Sequence, residues 1–474
     1  MFCLIVMPLS SVDVPLESQL MRKPLRALAY VILFGLLFGL INVILRHFRI
    51  LTSFNRFPLS GEIVLLWDDG SMAMRHKGKQ DQTLRADNMN AFLPENTSLS
   101  NFIQLANRHQ LIRNEDLFGR LPSPSHADLE AVPDSVFVIQ VHSRLDNLRL
   151  LIASLERVKQ IERSLLVFST DMISSELISL VNSIRFARTV QIYFPHSVQA
   201  FPVGFPGADC HGAACGNNKL GRDVYGHTRN GNLTQIKHHW LWKFQFVFKD
   251  LVAIKHFTGH VIFLEEDYYV VEDILVVRRL VEEVWSPTKP NGVVAFGARV
   301  PTTTYHGNRT AVDYFISSQH NQGMGISRVM WKVISDCLSV FCEYDDYNWD
   351  WSLQELGRRC IKGGLRVLIF AWFSRVYHIG ECDGVHHHSI NCSTQKLYVE
   401  LSQKLSGPLF PHLYPSKVEV INRLSGRTLM FKPSGGWGDP RDRALCHSIA
   451  KGTWNVSLQL WAPQLTTSRS PDYG

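Results

Sequence analysis

From residue 135 onward the chain repeats one theme: a short, almost wholly apolar run, a polar stop, then a stretch with helical spacing. Ser135-Val136-Phe137-Val138-Ile139-Gln140-Val141 halts at His142-Ser143-Arg144, Ser164 to Phe168 halts at Ser169-Thr170-Asp171, and Thr189 to Phe194 makes a third run. Strands without polar alternation are buried on both faces, as parallel strands between helices are. Leu148, Leu151, Ile152 and Leu155 follow the first run, and Leu177 to Ile184 the second, as crossover helices. This alternation predicts an α/β fold with a mostly parallel sheet flanked by helices.

A fourth run, His260 to Leu264, empties straight into Glu265-Glu266-Asp267. Ligands of open α/β sheets bind outside the carboxyl ends of strands. Acids there are badly sited for packing and well sited to hold a divalent cation that bridges substrate phosphates. On an extended chain Glu265 and Asp267 share a face while Glu266 points away.

Upstream, residues 27–45 hold 19 residues without a charge, flanked by Arg22, Lys23 and Arg26 before and by Arg46 and Arg49 after. That length spans a bilayer as a helix. The run ends in Leu45-Arg46-His47-Phe48 rather than in small residues, so it reads as an uncleaved signal anchor and not as a cleaved leader. Residues 1–26 then form a cytoplasmic tail and 46–132, polar and interrupted by Pro94, Pro122 and Pro124, a stem with a helix around Leu99 to Leu111. The catalytic body is expected over 133–450 and a tail over 451–474. The net charge of +7 is spread thinly, with no Lys/Arg block, which argues against a nucleic-acid partner. Eight cysteines lie beyond Cys3, an even number that suits disulfides in an oxidising lumen, and none form a tight Cys-x-x-Cys pair. Sequons at Asn96, Asn232, Asn308, Asn391 and Asn455 agree with that compartment.

Three further stretches carry chemistry. Gln235-Ile236-Lys237-His238-His239-Trp240 opens an aromatic helix whose N-terminus, with Lys237, suits an anion. Glu343 to Trp351 sets Asp345, Asp346 and Asp350 among Tyr344, Tyr347, Trp349 and Trp351, a mixture that suits sugars and offers a general base. Tyr377-His378-Ile379-Gly380-Glu381-Cys382 follows a late strand and offers an imidazole ligand, whereas His386-His387-His388 reads as exposed loop.

Taken together, Gln140 to Arg144, Lys237 to Trp240, Phe263 to Asp267, Tyr344 to Trp351, His378 to Cys382 and Gly435-Gly436-Trp437-Gly438-Asp439 resemble the Golgi N-acetylglucosaminyltransferase II family, in order from about Val136 to Cys446. The resemblance implies a GT-A fold, a Rossmann-like nucleotide-sugar transferase sheet, preceded here by one transmembrane helix and a stem. It implies a single-pass type II protein of the Golgi membrane with a lumenal catalytic domain. UDP-GlcNAc would be donor, Mn²⁺ cofactor, and an N-glycan on a glycoprotein acceptor, with a homodimer left open. Residue by residue, it implies Asp267 and His378 as metal ligands. Gln140, Val141, His142, Ser143, Arg144, Asp171, Gln235, Ile236, Lys237, His238 and His239 would be donor contacts. Trp349 would be an acceptor platform. Asp350 would be the base that deprotonates the 2-hydroxyl of the α-1,6-arm mannose for one inverting displacement. It also implies the pairings Cys210–Cys215, Cys337–Cys360, Cys342–Cys446 and Cys382–Cys392. The chain departs from the family at Ile236, where a small hydroxyl residue is usual, lacks a cysteine pair around 281–291, and aligns poorly over 299–310. The rival readings are a sister transferase for another mannose, against which the Trp-rich stretch argues, and a glycan-binding protein on a decayed scaffold, which would have lost Asp350, Asp267 or His378. A metal-dependent phosphodiesterase would need more Asp/His ligands.

Overall fold

A computed structural model describes residues 62–68, 71–77, 98–208, 221–297, 309–370, 374–380, 393–422 and 432–453. The apolar segment 27–45, the tail 1–26 and residues 46–61, 69–70 and 78–97 of the expected stem lie outside the described residues, as do Cys210, Cys215, Cys382, Cys392 and 299–308. Among the described residues no helix is long and apolar enough to cross a membrane.

In chain order, a separate hairpin pairs β1 (Glu62–Asp68) with β2 (Ser71–Lys77). The body begins with α1 (Leu99–His109) and β3 (Ile112–Arg113). Ser98 caps α1, its hydroxyl accepting from Asn101 N, and Phe102 and Ile103 are buried. Since β3 pairs antiparallel with a strand of the main sheet, the body starts well before residue 133, where the sequence reading began it. A two-residue strand carries no period, which is why it escaped notice.

The core α/β units are β4 (Ser135–Val141), α2 (Leu145–Glu156), β5 (Ser164–Thr170), α3 (Ser175–Asn182) and β6 (Arg188–Tyr193), followed by α4 (Gly231–Gln245) and β7 (His260–Glu265). Strands β7, β4, β5 and β6 are parallel neighbours. Each face of this region is sealed by its own core. Val136, Val138, Leu165 and Val167 pack with Trp240, Trp242 and Phe244 of α4. Phe137, Ile139, Leu166 and Phe168 pack on the other side with Leu148 and Leu151 of α2 and Leu177 of α3. Period-two alternation between two apolar layers is what the unbroken hydrophobic runs encode.

Beyond β7 come the short β8 (Tyr268–Val270), α5 (Ile274–Val284), β9 (Val293–Ala295), β10 (Arg309–Tyr314), β11 (Met324–Ser327), α6 (Arg328–Ser335), α7 (Leu338–Glu343), α8 (Trp349–Arg359), β12 (Arg366–Ile369), β13 (Val376–His378), α9 (Thr394–Ser406), β14 (Glu419–Asn422) and α10 (Pro440–Lys451). The main sheet has the order β14-β10-β12-β9-β11-β7-β4-β5-β6-β3, and β8 pairs with β13 in a small sheet of its own. The mostly parallel α/β expectation therefore holds at its centre, while β11, antiparallel to both β7 and β9, mixes the sheet. That strand has a consequence for the site: its first residues lie beside the carboxyl end of β7. The disulfides Cys337–Cys360 and Cys342–Cys446 are both formed, tying α7 and its N-cap to the middle of α10 and the C-terminal end of α8.

Candidate active site

Three parallel strands deliver their carboxyl ends to one edge: Gln140 to Arg144 at the end of β4, Asp171 after β5, and Glu265 to Asp267 at the end of β7. The three acids of β7 have different surroundings. Glu266 turns back under the β4 loop, accepting from His142 N at 2.9 Å and from Arg144 N and Nε at 3.2 Å, and so brackets the turn that follows β4. Asp267 meets His378, whose Nε2 is 3.0 Å from Oδ2, and Arg144, whose Nη1 is 2.8 Å from the same oxygen. A backbone pair, His378 against Tyr268 in the antiparallel β8–β13 sheet, brings residues so distant in sequence together, and Ile379 N donates to Asp267 O. Burial alone would raise the Asp267 pKa, but His378 and Arg144 hold it below the usual carboxylate range.

Oxygen Oδ1 of Asp267 is buried and has no hydrogen-bond partner. Gly380 lies so close that a Cβ there would strike the Asp267 carboxylate. A buried, unpartnered carboxylate oxygen beside an imidazole, in a cradle that admits no side chain, fits a divalent cation. Among the described residues no group of three His, Cys, Asp or Glu could hold a metal, so a cation held by Asp267 and His378 would draw its other oxygens from elsewhere. That donor count suits a hard cation that keeps waters and takes substrate phosphate oxygens.

Asp171 is the second node. It accepts from or pairs with His142 Nδ1 at 2.6 Å, His239 Nδ1 at 3.1 Å and Gln235 Nε2 at 3.2 Å, and His239 Nε2 lies 2.8 Å from Ser169 Oγ. Burial alone would raise its pKa; the two histidines pull it far below the carboxylate range. His142 gains in return, its pKa raised by the hydrogen bond to Asp171. Gln140 presents a half-exposed side chain and Ser143 an exposed one, whereas the Val141 side chain is wholly in the sheet core.

Asp350 sits in the first turn of α8, where its Oδ1 accepts from Trp351 N at 3.0 Å and its Oδ2 from Asn321 Nδ2 at 2.9 Å. Burial, with Asp346 nearby, pushes its pKa up to about 6 against the pull of those two donors. Asn321 lies just before β11, and continuing the antiparallel register of β11 on β7 sets it beside the carboxylate end of β7. Burial raises the Tyr268 phenol pKa, and Glu265, Asp267 and Asp350 add to it, so all three carboxylates lie within electrostatic range of that ring. Sequence reading missed Asn321, because nothing local links position 321 to 350.

The family's sequence model, N-acetylglucosaminyltransferase II (MGAT2), matches residues 100–446. The alpha-1,6-mannosyl-glycoprotein 2-beta-N-acetylglucosaminyltransferase of Rattus norvegicus is 34% identical over 361 residues, covering 73% of this chain and 78% of that one. The protein of the same description from Homo sapiens is 32% identical with the same coverage, and that of Arabidopsis thaliana is 29% identical over 71% of this chain and 77% of its own length. The chain belongs to the N-acetylglucosaminyltransferase II family.

Within this N-acetylglucosaminyltransferase II body several expected contacts turn out to be internal. The helix that Gln235 was expected to open starts at Gly231, capped by Asn230, so Gln235 to His239 lie beyond its first turn. Lys237 is fully buried, donating to Tyr344 O and Asp346 O at 3.0 Å with Trp437 beneath it, and is not at a helix N-terminus facing an anion. His238 pairs with Asp442, and Ile236 packs on the core. Only Gln235 and His239 reach the sheet edge, through Asp171. Trp349 is 5% exposed and stacked on Trp240 with ring centroids 3.9 Å apart, so it anchors α8 to α4 and offers no open face to a sugar.

The acidic-aromatic stretch is likewise mostly a clamp. Asp345 accepts from Val224 N and Trp437 N, and Asp346 from Ser434 N and Asn348 N, so both bind backbone of the surrounding loops. The Gly-Gly-Trp-Gly-Asp stretch answers them: Gly435 and Gly436 have φ of 79° and 75°, and a Cβ on Gly435 would strike Asp223. Its Trp437 is wholly buried and donates Nε1–H to Cys342 O.

Proposed function

We propose that this chain is a Golgi-membrane transferase, single-pass and type II. It moves GlcNAc from UDP-GlcNAc to the 2-hydroxyl of the α-1,6-arm mannose of N-glycans in a β-1,2 linkage. Family membership and the printed activity of the relatives support the reaction, and the apolar segment with its basic flanks supports the anchor. The two disulfides agree with a lumenal body.

The carrying observation is that Asp350, held by Asn321 just before β11, stands apart from the Asp267–His378 pair at the end of β7; burial raises the first carboxyl to about 6 while His378 and Arg144 keep the second low. Environments that push two acids apart assign their roles. Asp350, ionised above pH 6 and only weakly solvated, takes the proton of the mannose 2-hydroxyl as that oxygen forms its bond to the anomeric carbon. The bond from that carbon to the UDP phosphate oxygen breaks, UDP leaves with the electron pair, and the configuration inverts. Asn321 aims the carboxylate. Asp267 and His378 would hold Mn²⁺, with Arg144 and the 140–144 turn taking phosphate and nucleoside. When bound, manganese neutralises the charge on the diphosphate as a Lewis acid.

Proton NMR of the product tests the step. An α-configured donor should yield a β-GlcNAc product, only with manganese and not after chelation. An α-product would overturn the single displacement, and undiminished turnover in chelator would overturn the metal.

A further inference from the structure

Lys243 is a charged residue that no part of the reaction above uses, and it is wholly buried beneath the donor edge. It projects from α4 and its Nζ stands 3.0 Å from the centroid of the Trp240 ring. Trp349 is stacked 3.9 Å away on that indole, so the ammonium must occupy the other face. Its hydrogen-bond partner is Gln140 Oε1, at 2.8 Å. Gln140 and Glu265 are register partners on the parallel strands β4 and β7, so Lys243 lies below the two side chains that end those strands. Burial draws the Lys243 pKa well down, while Glu265 and Asp171 and the indole face favour its charged form.

An ammonium donates hydrogen bonds and accepts none, and an amide presents an oxygen on one side and an NH₂ on the other. With Oε1 taken by Lys243, Gln140 has its Nε2 donor to give to another partner, and the residue is half-exposed near the carboxyl end of β4. We infer that Lys243 is a positioning residue for the donor: it fixes Gln140 as a pure hydrogen-bond donor, which selects an acceptor atom of the nucleotide. This rests on the reading of Gln140 to Arg144 as part of the nucleotide-sugar site. The acceptor atom belongs to the uridine or its diphosphate, and the mannose has no part in it.

The test uses the full-length chain, titrated calorimetrically with UDP in manganese buffer and assayed for both substrates. Lys243→Met keeps the stem against Trp240 and removes the donor. UDP affinity and KM for UDP-GlcNAc should each worsen about tenfold, the value of one hydrogen bond to a charged or polar partner, with the acceptor KM within about twofold of wild type. Gln140→Ala should weaken UDP by a similar factor, and the double variant no more than Gln140→Ala alone, because both act through one amide. Gln140→Glu keeps an oxygen for Lys243 and loses the NH₂; it should melt no lower than wild type yet bind UDP at least tenfold less well. Additive penalties in the double variant, equal losses on both KM values, or Gln140→Glu binding UDP as wild type does would overturn the proposal while leaving the nucleotide site standing. A wild-type chain that binds neither UDP nor UDP-GlcNAc would overturn the site reading and this inference with it.

Discussion

Replacing Asp350 by Asn should destroy activity and stabilise the fold in the same molecule. The carboxyl of Asp350 titrates near 6, chiefly because it is buried, against an ordinary value of 3.8. A pKa raised on folding means the folded chain disfavours the ionised form. The sign follows: below about pH 4 both states are protonated and there is no penalty, the penalty grows between pH 4 and 6, and above pH 6 it is complete. Two units correspond to about 3 kcal/mol. Asn is the same shape and neutral, and Asn321 can turn its own amide to offer an oxygen to the new NH₂, so the contacts at 2.9 and 3.0 Å survive in kind. Asp350→Asn should therefore melt higher than wild type at pH 7.5, by on the order of 5 °C for a penalty of this size, and the gap should close by pH 4. Turnover should fall by about 10²- to 10⁴-fold, the usual contribution of a general base. Differential scanning calorimetry at several pH values, with a radiolabelled transfer assay on the same samples, reads both. A variant that melts lower at pH 7.5, or a stability gain that does not depend on pH, would refute the claim that burial sets this group's proton affinity. Retained turnover would refute its role.

Asn321→Ala removes one donor from that carboxylate and should move the acid limb of kcat/KM upward by about one unit, so that activity drops about tenfold at pH 5 and little at pH 8.5; an unmoved limb contradicts the link. Asp267→Asn and His378→Ala should each weaken manganese by about tenfold or more in titrations followed by electron paramagnetic resonance, independently of turnover, and wild-type manganese affinity in either variant would exclude that residue as a ligand. Lys237→Met strands two buried carbonyls and should cost about 2–4 kcal/mol in denaturant unfolding without a selective change in either KM, since its partners Tyr344 O and Asp346 O belong to the clamp under α8; a loss confined to donor binding would restore it to the nucleotide site.

What was legible in the sequence follows from how local each signal is. The runs at 135–141 and 164–170 and the acids closing 260–267 are contiguous, and their burial on two faces and their shared edge follow from strand geometry alone. Asp267 and His378, by contrast, lie 111 residues apart and meet through a two-stranded antiparallel sheet of three-residue strands, so only resemblance to a family could pair them in advance. Asn321 was invisible because β11 runs against its neighbours, a reversal that Gly323-Met324-Gly325 does not announce. Trp349 and Lys237 misled for the opposite reason. Aromatic and charged residues beside acids look like recognition groups, yet here an indole stack and a buried ammonium on two carbonyls hold α8 and α4 together. The sequence pattern names the residue types of the site and not which of them face it.

The central claim is tested most directly by mapping where a single sugar goes. The full-length chain is incubated with UDP-GlcNAc, manganese and a biantennary-core precursor that already carries GlcNAc on its α-1,3 arm, and the product is analysed by linkage. The account predicts one added GlcNAc, β-1,2-linked to the α-1,6-arm mannose, and none with Asp350→Asn. Transfer to another mannose, or no product from a folded chain that binds UDP-GlcNAc, would contradict it.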